Sequence, residues 1–170
     1  MVFCYYPNAM ATKAKSPLEG KKAPAISLKD QDGNKFSLKD HLDSYVLIYF
    51  YPKDDTPGCT KEACSIRDHS KQIKKAGLKV FGVSPDDEAK HQKFIGKYKL
   101  NFSLLCDTEH KVAEKYGVWV EKNMYGKKYM GIRRDSFLIN PEGKIVKHYI
   151  KVKPETHIED VLEDLKNIEE

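Results

Sequence analysis

The sequence predicts an α/β fold in which a mixed β-sheet is flanked by helices. Three observations carry this. Short apolar runs of strand length, "YVLIYFY", "LKVFGVS" and "FSLLC", are separated by stretches whose apolar residues recur at helical steps. The resulting order is strand, helix, strand, helix, strand, helix, then a hairpin and a last helix, and such alternation places parallel strands within one sheet. Forty per cent hydrophobic and 32% charged residues in a chain of 170 is the composition of one domain with a proper core.

Each element has a local reason. Ala11–Lys22 is small, polar and basic, and residues 1–17 are taken as a flexible arm before a single domain over 18–170. "APAISLKDQDGNKFSLKD" reads as a hairpin turning at Asp32-Gly33-Asn34. Tyr45–Tyr51 is a buried central strand by its β-branched and aromatic content. Pro57 and Gly58 make a turn, and from Cys59 the residues Cys59, Ala63, Ile66, Ser70 and Ile73 form one inward helical stripe that Gly77 ends. Leu78–Ser84 is a second buried strand, and Pro85 opens a helix over Asp86–Tyr98. After the strand "FSLLC", Asp107 or Thr108 caps a short helix through Tyr116. "KKYMGI" and "DSFLIN" read as strands, and "NPEGK" turns into "KIVKHYI". Pro154 opens the last helix, striped by Ile158, Val161, Leu162, Leu165 and Ile168.

Composition removes several function classes. No apolar run approaches the roughly 18 residues of a membrane span. The net charge of +5 comes from dispersed lysines with no basic block, which argues for solubility and against nucleic acid. Four cysteines (Cys4, Cys59, Cys64, Cys106) are too few for a secreted disulfide scaffold, and "MVFCYYPNAM" lacks the features of a secretory signal. A cytoplasmic setting follows, where a cysteine pair is more often catalytic or metal-binding than structural. Met10 offers an alternative start, which would leave Cys4 outside the functional protein.

The chemistry lies in "YPKDDTPGCTKEACSIRD". Cys59 sits where a strand has ended and a helix begins, so its sulfur meets unpaired backbone N–H groups and the positive end of the helix dipole. Both favour the thiolate, which is the reactive species; the plainer reading is a small buried core residue. Over the five residues to Cys64 an ideal helix rises about 7.5 Å and turns about 500°, leaving the Cα atoms roughly 8 to 9 Å apart. A disulfide needs about 7 Å or less, so the pair bonds only if the first turns unwind. Zinc would call for a closer ligand pair and a second group, and His69 is the only nearby candidate. A Cys-His hydrolase pair has nothing in the sequence pointing to it, and there is no C-x5-R phosphatase loop.

This segment, "PKDDTPGCTKEAC", resembles the active-site stretch of the peroxiredoxins, and its C-x4-C spacing resembles the subfamily known as bacterioferritin comigratory protein, or the Q type. "GKKAPAISLKDQDGNKFSLKD" and "RRDSFLINPEGKI" extend the similarity to about nine-tenths of the chain. The resemblance implies a thioredoxin-like fold and thiol-dependent reduction of hydrogen peroxide and organic hydroperoxides. It implies that Cys59 is the peroxidatic cysteine, that Thr56 orients peroxide and thiolate, and that Pro52 shields the site. Arg134, rather than its neighbour Arg133, would stabilise the charges, and Cys64 would be the resolving cysteine. The recycling partner implied is thioredoxin or a related dithiol protein; no metal, haem or flavin is called for, and the state implied is a monomer. Cys106 stands where the family carries a serine or another small residue, and reads as a buried strand residue with a backup resolving role as the alternative. The segments that mark peroxide-sensitive relatives are absent, which implies resistance to over-oxidation. Glu62 and Arg67 read most simply as a solvated helix face.

Two other readings stay open on the sequence. One is a thioredoxin-fold oxidoreductase that exchanges disulfides with proteins, although C-x-x-C is its usual spacing. The other is a redox-sensing binding module whose unwinding alters a partner contact. Consumption of peroxide at the expense of a thiol donor separates the enzyme from both.

Overall fold

The computed structural model describes residues 16–169. Most of the expected arm, with Cys4 and Met10, lies outside the described residues. Its end does not: Ser16 is buried and its hydroxyl meets the His148 ring.

Nine strands and five α-helices are described: β1 (Ser27–Asp30), β2 (Lys35–Ser37), β3 (Tyr45–Phe50), α1 (Pro57–Asp68), α2 (Ser70–Lys75), β4 (Leu78–Ser84), α3 (Glu88–Tyr98), β5 (Leu104–Cys106), α4 (Lys111–Lys115), β6 (Trp119–Met124), β7 (Lys127–Ile132), β8 (Ser136–Ile139), β9 (Ile145–Tyr149) and α5 (His157–Glu169). Seven strands make one sheet in the order β2-β1-β5-β4-β3-β8-β9. The centre, β5-β4-β3, is parallel, and the outer pairings are antiparallel. This is the mixed sheet flanked by helices that the alternating pattern predicts.

Strand β3, inside the sheet, explains the layering. Side chains alternate along β3, so Val46, Ile48 and Phe50 enter one core with Leu105, Phe137 and the α4 residues Val112 and Ala113. Leu47, Tyr49 and the following Tyr51 enter the other, with Cys59, Ala63 and Ile66 of α1, Phe94 of α3 and Val161 of α5. Cys59 therefore belongs to a helix packed on the sheet, beyond the carboxyl end of β3. This end is where open α/β sheets place their ligand sites.

Several boundaries differ from the sequence reading. The expected helix from Cys59 to Gly77 is two helices, broken at His69, whose ring nitrogen Nδ1 lies 2.7 Å from the Ser65 carbonyl oxygen and whose ψ is 15. Ser70, expected on the inward stripe, is only half-buried beyond that break. Pro57 and Gly58 are not a preceding turn but the first residues of α1. Pro85 does not open α3; Asp87 caps it, accepting a bond from the Lys90 N–H at 3.0 Å. Asp107 serves α4 from a distance, its carboxylate accepting from the Val112 and Ala113 N–H groups. Pro154 likewise stands ahead of α5, which begins at His157. Strand β6 is unanticipated: it pairs with β7 through a Tyr125-Gly126 turn at positive φ, and its half-exposed "WVEKNM" shows no apolar alternation.

Candidate active site

Three local features set Cys59 in place. Thr56 takes the extended conformation of a helix cap, with φ −94 and ψ 155. Pro57 follows at the first helical position, where its missing N–H costs nothing. Gly58 leaves room above the first turn: a Cβ there would stand 3.1 Å from Nη2 of Arg134. A glycine at this position lets the guanidinium lie across the helix mouth.

Arg134 uses both arms. Nη2 donates to the Cys59 sulfur at 3.2 Å, and Nη1 donates to Oε2 of Glu62 at 2.9 Å. Cys59 is 2% exposed and Glu62 is 1% exposed. Burial alone would lower the Arg134 pKa, but the sulfur and the Glu62 carboxylate outweigh it and hold the guanidinium up. Burial pushes Glu62 up to about 7, against the pull of Arg134. Glu62 is thus no solvated helix residue. It is the buried second anchor of the arginine, and its position three residues after Cys59 on the helix is the only signal the sequence offers.

Arg133 points elsewhere, donating through Nε and Nη2 to Asp135 at 3.0 and 2.7 Å. Asp135 also meets His148 and the Lys151 N–H, so Arg133 belongs to the brace between β8 and β9. Both arginines lie between β7 and β8, outside any strand, and their divergence comes from these partners.

The other expected residues are placed as follows. The Thr56 hydroxyl donates to the Lys53 carbonyl at 2.9 Å and makes no cap bond. Pro52 is half-buried in the loop after Tyr51. Cys59, Cys64 and Cys106 are all free. Cys64 lies in the unbroken α1, half-buried, while Cys59 is part of the core, so the intact helix keeps them apart. Lys122 of β6 feels the charges of the site. Burial lowers its pKa, Arg134 lowers it further, and Cys59 opposes both.

Beneath the loop lies a buried network. Asp54 accepts from the Tyr51 hydroxyl at 2.6 Å and contacts Nδ1 of His91 at 2.6 Å, while its N–H donates to Asp86 at 2.8 Å. Asp54, Asp86 and His91 are close enough for a metal, but these atoms already engage one another, the Ser84 hydroxyl and the Leu105 carbonyl. The group acts as an anchor for the Pro52–Thr56 loop.

A thiol in the first turn of a helix, with a guanidinium on its sulfur, is suited to attack on an electrophile. Residues 19–148 match the AhpC/TSA family, and the chain belongs to that family. Its relatives narrow this to the peroxiredoxins of the bacterioferritin comigratory, or Q, type. The chain is 46% identical to "Peroxiredoxin Bcp" of Bacillus subtilis (strain 168), over 89% of this chain and 96% of that protein. It is 48% identical to "Peroxiredoxin Bcp" of Escherichia coli (strain K12), over 89% and 97%. Among solved structures, the bacterioferritin comigratory protein of Xanthomonas campestris, described for its alkyl peroxide reduction activity, superposes with a TM-score of 0.81 at 38% identity, covering 85% of this chain and 92% of that one. The protein is a thiol peroxidase of thioredoxin-like fold, acting on a hydroperoxide and drawing on a reductant.

Proposed function

We propose that Cys59 is the peroxidatic cysteine, Cys64 the resolving cysteine, and thioredoxin or a similar dithiol protein the reductant. The observation that carries this is the contact of Arg134 with the Cys59 sulfur, held by Glu62 on its other arm. The Cys59 thiolate attacks the distal oxygen of hydrogen peroxide or an organic hydroperoxide. An S–O bond forms, the O–O bond breaks, and the leaving oxygen takes a proton to depart as water or alcohol. Arg134 and the helix N–H groups face charge that develops on oxygen, a preorganised electrostatic role.

The resulting Cys59 sulfenic acid condenses with the Cys64 thiol, forming the disulfide and releasing water. Thiol exchange with the dithiol partner then restores both cysteines and leaves the partner oxidised. Thr56 orients the peroxide by exchanging its bond to the Lys53 carbonyl for one to substrate, and Pro52 excludes water. Because α1 is intact in the dithiol form, disulfide formation requires its early turns to unwind. Three free thiols among the described residues suit a reducing cytoplasm, and the monomer suffices because both cysteines lie in one helix.

The test is peroxide-dependent NADPH oxidation with thioredoxin and its reductase, with wild type beside Cys59→Ser and Cys64→Ser. Turnover lost in both variants, with Cys64→Ser still reacting once, is the expected result. Near-wild-type turnover in either variant overturns the assignment.

A further inference from the structure

The thiol chemistry asks two things of one segment. It is helical when Cys59 meets peroxide, and unwound when Cys59 meets Cys64. Both ends of that segment are held by a single neighbour.

At the leading end, Asp55 has φ 57, in the left-handed region. That conformation costs an ordinary residue about 1 kcal/mol or more and persists where partners over-determine it. The Asp55 carboxylate accepts from the Tyr98 hydroxyl at 2.6 Å and from Lys97 Nζ at 2.8 Å. At the trailing end, Arg67 donates through Nη1 to the Tyr98 carbonyl oxygen at 2.6 Å. This carbonyl is among the last four of α3, which lack helical partners, because the chain turns away at Lys99 with φ 52. A cation there also complements the negative end of α3. Tyr98 therefore touches both ends, one through its phenol and one through its backbone, and residues 56–66 lie between.

α3 is a fixed rail for this grip. Two turns before Tyr98 on the same face, buried His91 holds Asp54 and the Leu105 carbonyl. Between them Phe94 packs against the rings of Tyr51 and Tyr98. The exposed Lys97–Asp55 pair contributes little by itself.

We infer that Tyr98 is a positioning residue: by pinning Asp55 and Arg67 it favours the helical form of residues 56–66 and confines unwinding to them. This rests on the reading that Cys59 and Cys64 form the disulfide. Tyr98→Phe removes the phenol bond and keeps the ring against Phe94. Rapid quench with mass spectrometry separates oxidation of Cys59 from closure of the disulfide. Closure should be about fivefold faster, the factor that one net hydrogen bond of about 1 kcal/mol gives, while oxidation changes less than about twofold. Hydrogen exchange of reduced Tyr98→Phe should speed up in residues 56–66 alone. In oxidised Arg67→Gln the loss of protection should spread past residue 67 into α2, where wild type stays protected. Unchanged closure in Tyr98→Phe, closure and oxidation moving together, or the same boundary in Arg67→Gln and wild type overturns the inference. Peptide mapping of oxidised wild type keeps the two failures apart: absence of the Cys59–Cys64 bond sinks the underlying reading, whereas its presence with unchanged rates sinks only the role of Tyr98.

Discussion

Cys59 and Cys106 are both buried thiols in one small protein, yet their surroundings are opposite. Cys59 sits in the first turn of α1 with a guanidinium 3.2 Å from its sulfur. Cys106 ends β5, and its sulfur lies 3.8 Å from the Asp30 carbonyl oxygen. Burial pushes the Cys106 thiol up to about 12, and the carboxylates of Glu88, Asp87, Asp30 and Asp54 push the same way. The two positions teach that burial does not decide thiol chemistry. What decides it is whether the groups closing over the sulfur favour or oppose a negative charge.

The largest expected effect is the asymmetry of serine substitution. Cys59→Ser should abolish peroxide reduction, whereas Cys106→Ser should stay within about twofold of wild type, because a hydroxyl cannot replace a thiolate nucleophile but can fill a strand position. A large loss in Cys106→Ser, measured by peroxide consumption at saturating reductant, would erase the distinction. Next comes Arg134→Gln, which removes the cation while keeping a polar side chain. The second-order rate with hydrogen peroxide should fall about 100-fold, the scale of losing one preorganised charge-stabilising donor. The matching change at Arg133 should lower stability, through Asp135, more than it lowers that rate.

A smaller effect extends the contrast to a histidine whose environment also opposes charge. Burial lowers His157 from the ordinary 6.5 to about 4, with Asp164 opposing weakly and Ser136 as its hydrogen-bond partner. A depressed basic group leaves the folded state neutral while the unfolded state binds a proton below about 6.5. Its contribution to stability is therefore present above that pH and lost as pH falls towards about 4, by roughly 3 kcal/mol at most. Urea unfolding at pH 7, 5.5 and 4 should show this slope in wild type and a flatter one in His157→Gln. The smallest effect is at Cys106 itself. Glu88→Gln removes the carboxylate that pushes hardest on this thiol but not the burial that dominates, so alkylation of Cys106 at pH 9 should rise by no more than about threefold.

Much of this arrangement was legible in the sequence, for identifiable reasons. The β3 run Tyr45–Phe50 is buried on both faces and reads as a continuous apolar strand, while Cys59, Ala63 and Ile66 share the inward face of α1 at helical spacing. Pro57 followed by Gly58 marked the helix mouth to within two residues. The helix break at His69 was hidden because it arises from a side chain returning to the Ser65 carbonyl, which leaves no mark in apolar periodicity. Strand β6 was hidden because a mostly exposed ribbon has no buried face to declare. Glu62 was misread because charge suggests solvent, and only the fold brings Arg134, 72 residues away, to compensate it. Asp54 and His91 escaped for the same reason: their partnership is made by tertiary packing between a loop and α3.

The most direct test of the account asks which sulfur peroxide attacks. Cys64→Ser, reduced and then treated with one equivalent of hydrogen peroxide, holds the oxidised thiol at the sulfenic acid stage, where a carbon nucleophile traps it for peptide mapping. Label on Cys59 and none on Cys106 is the expected result. Label on Cys106 at a yield comparable to that on Cys59 would contradict it.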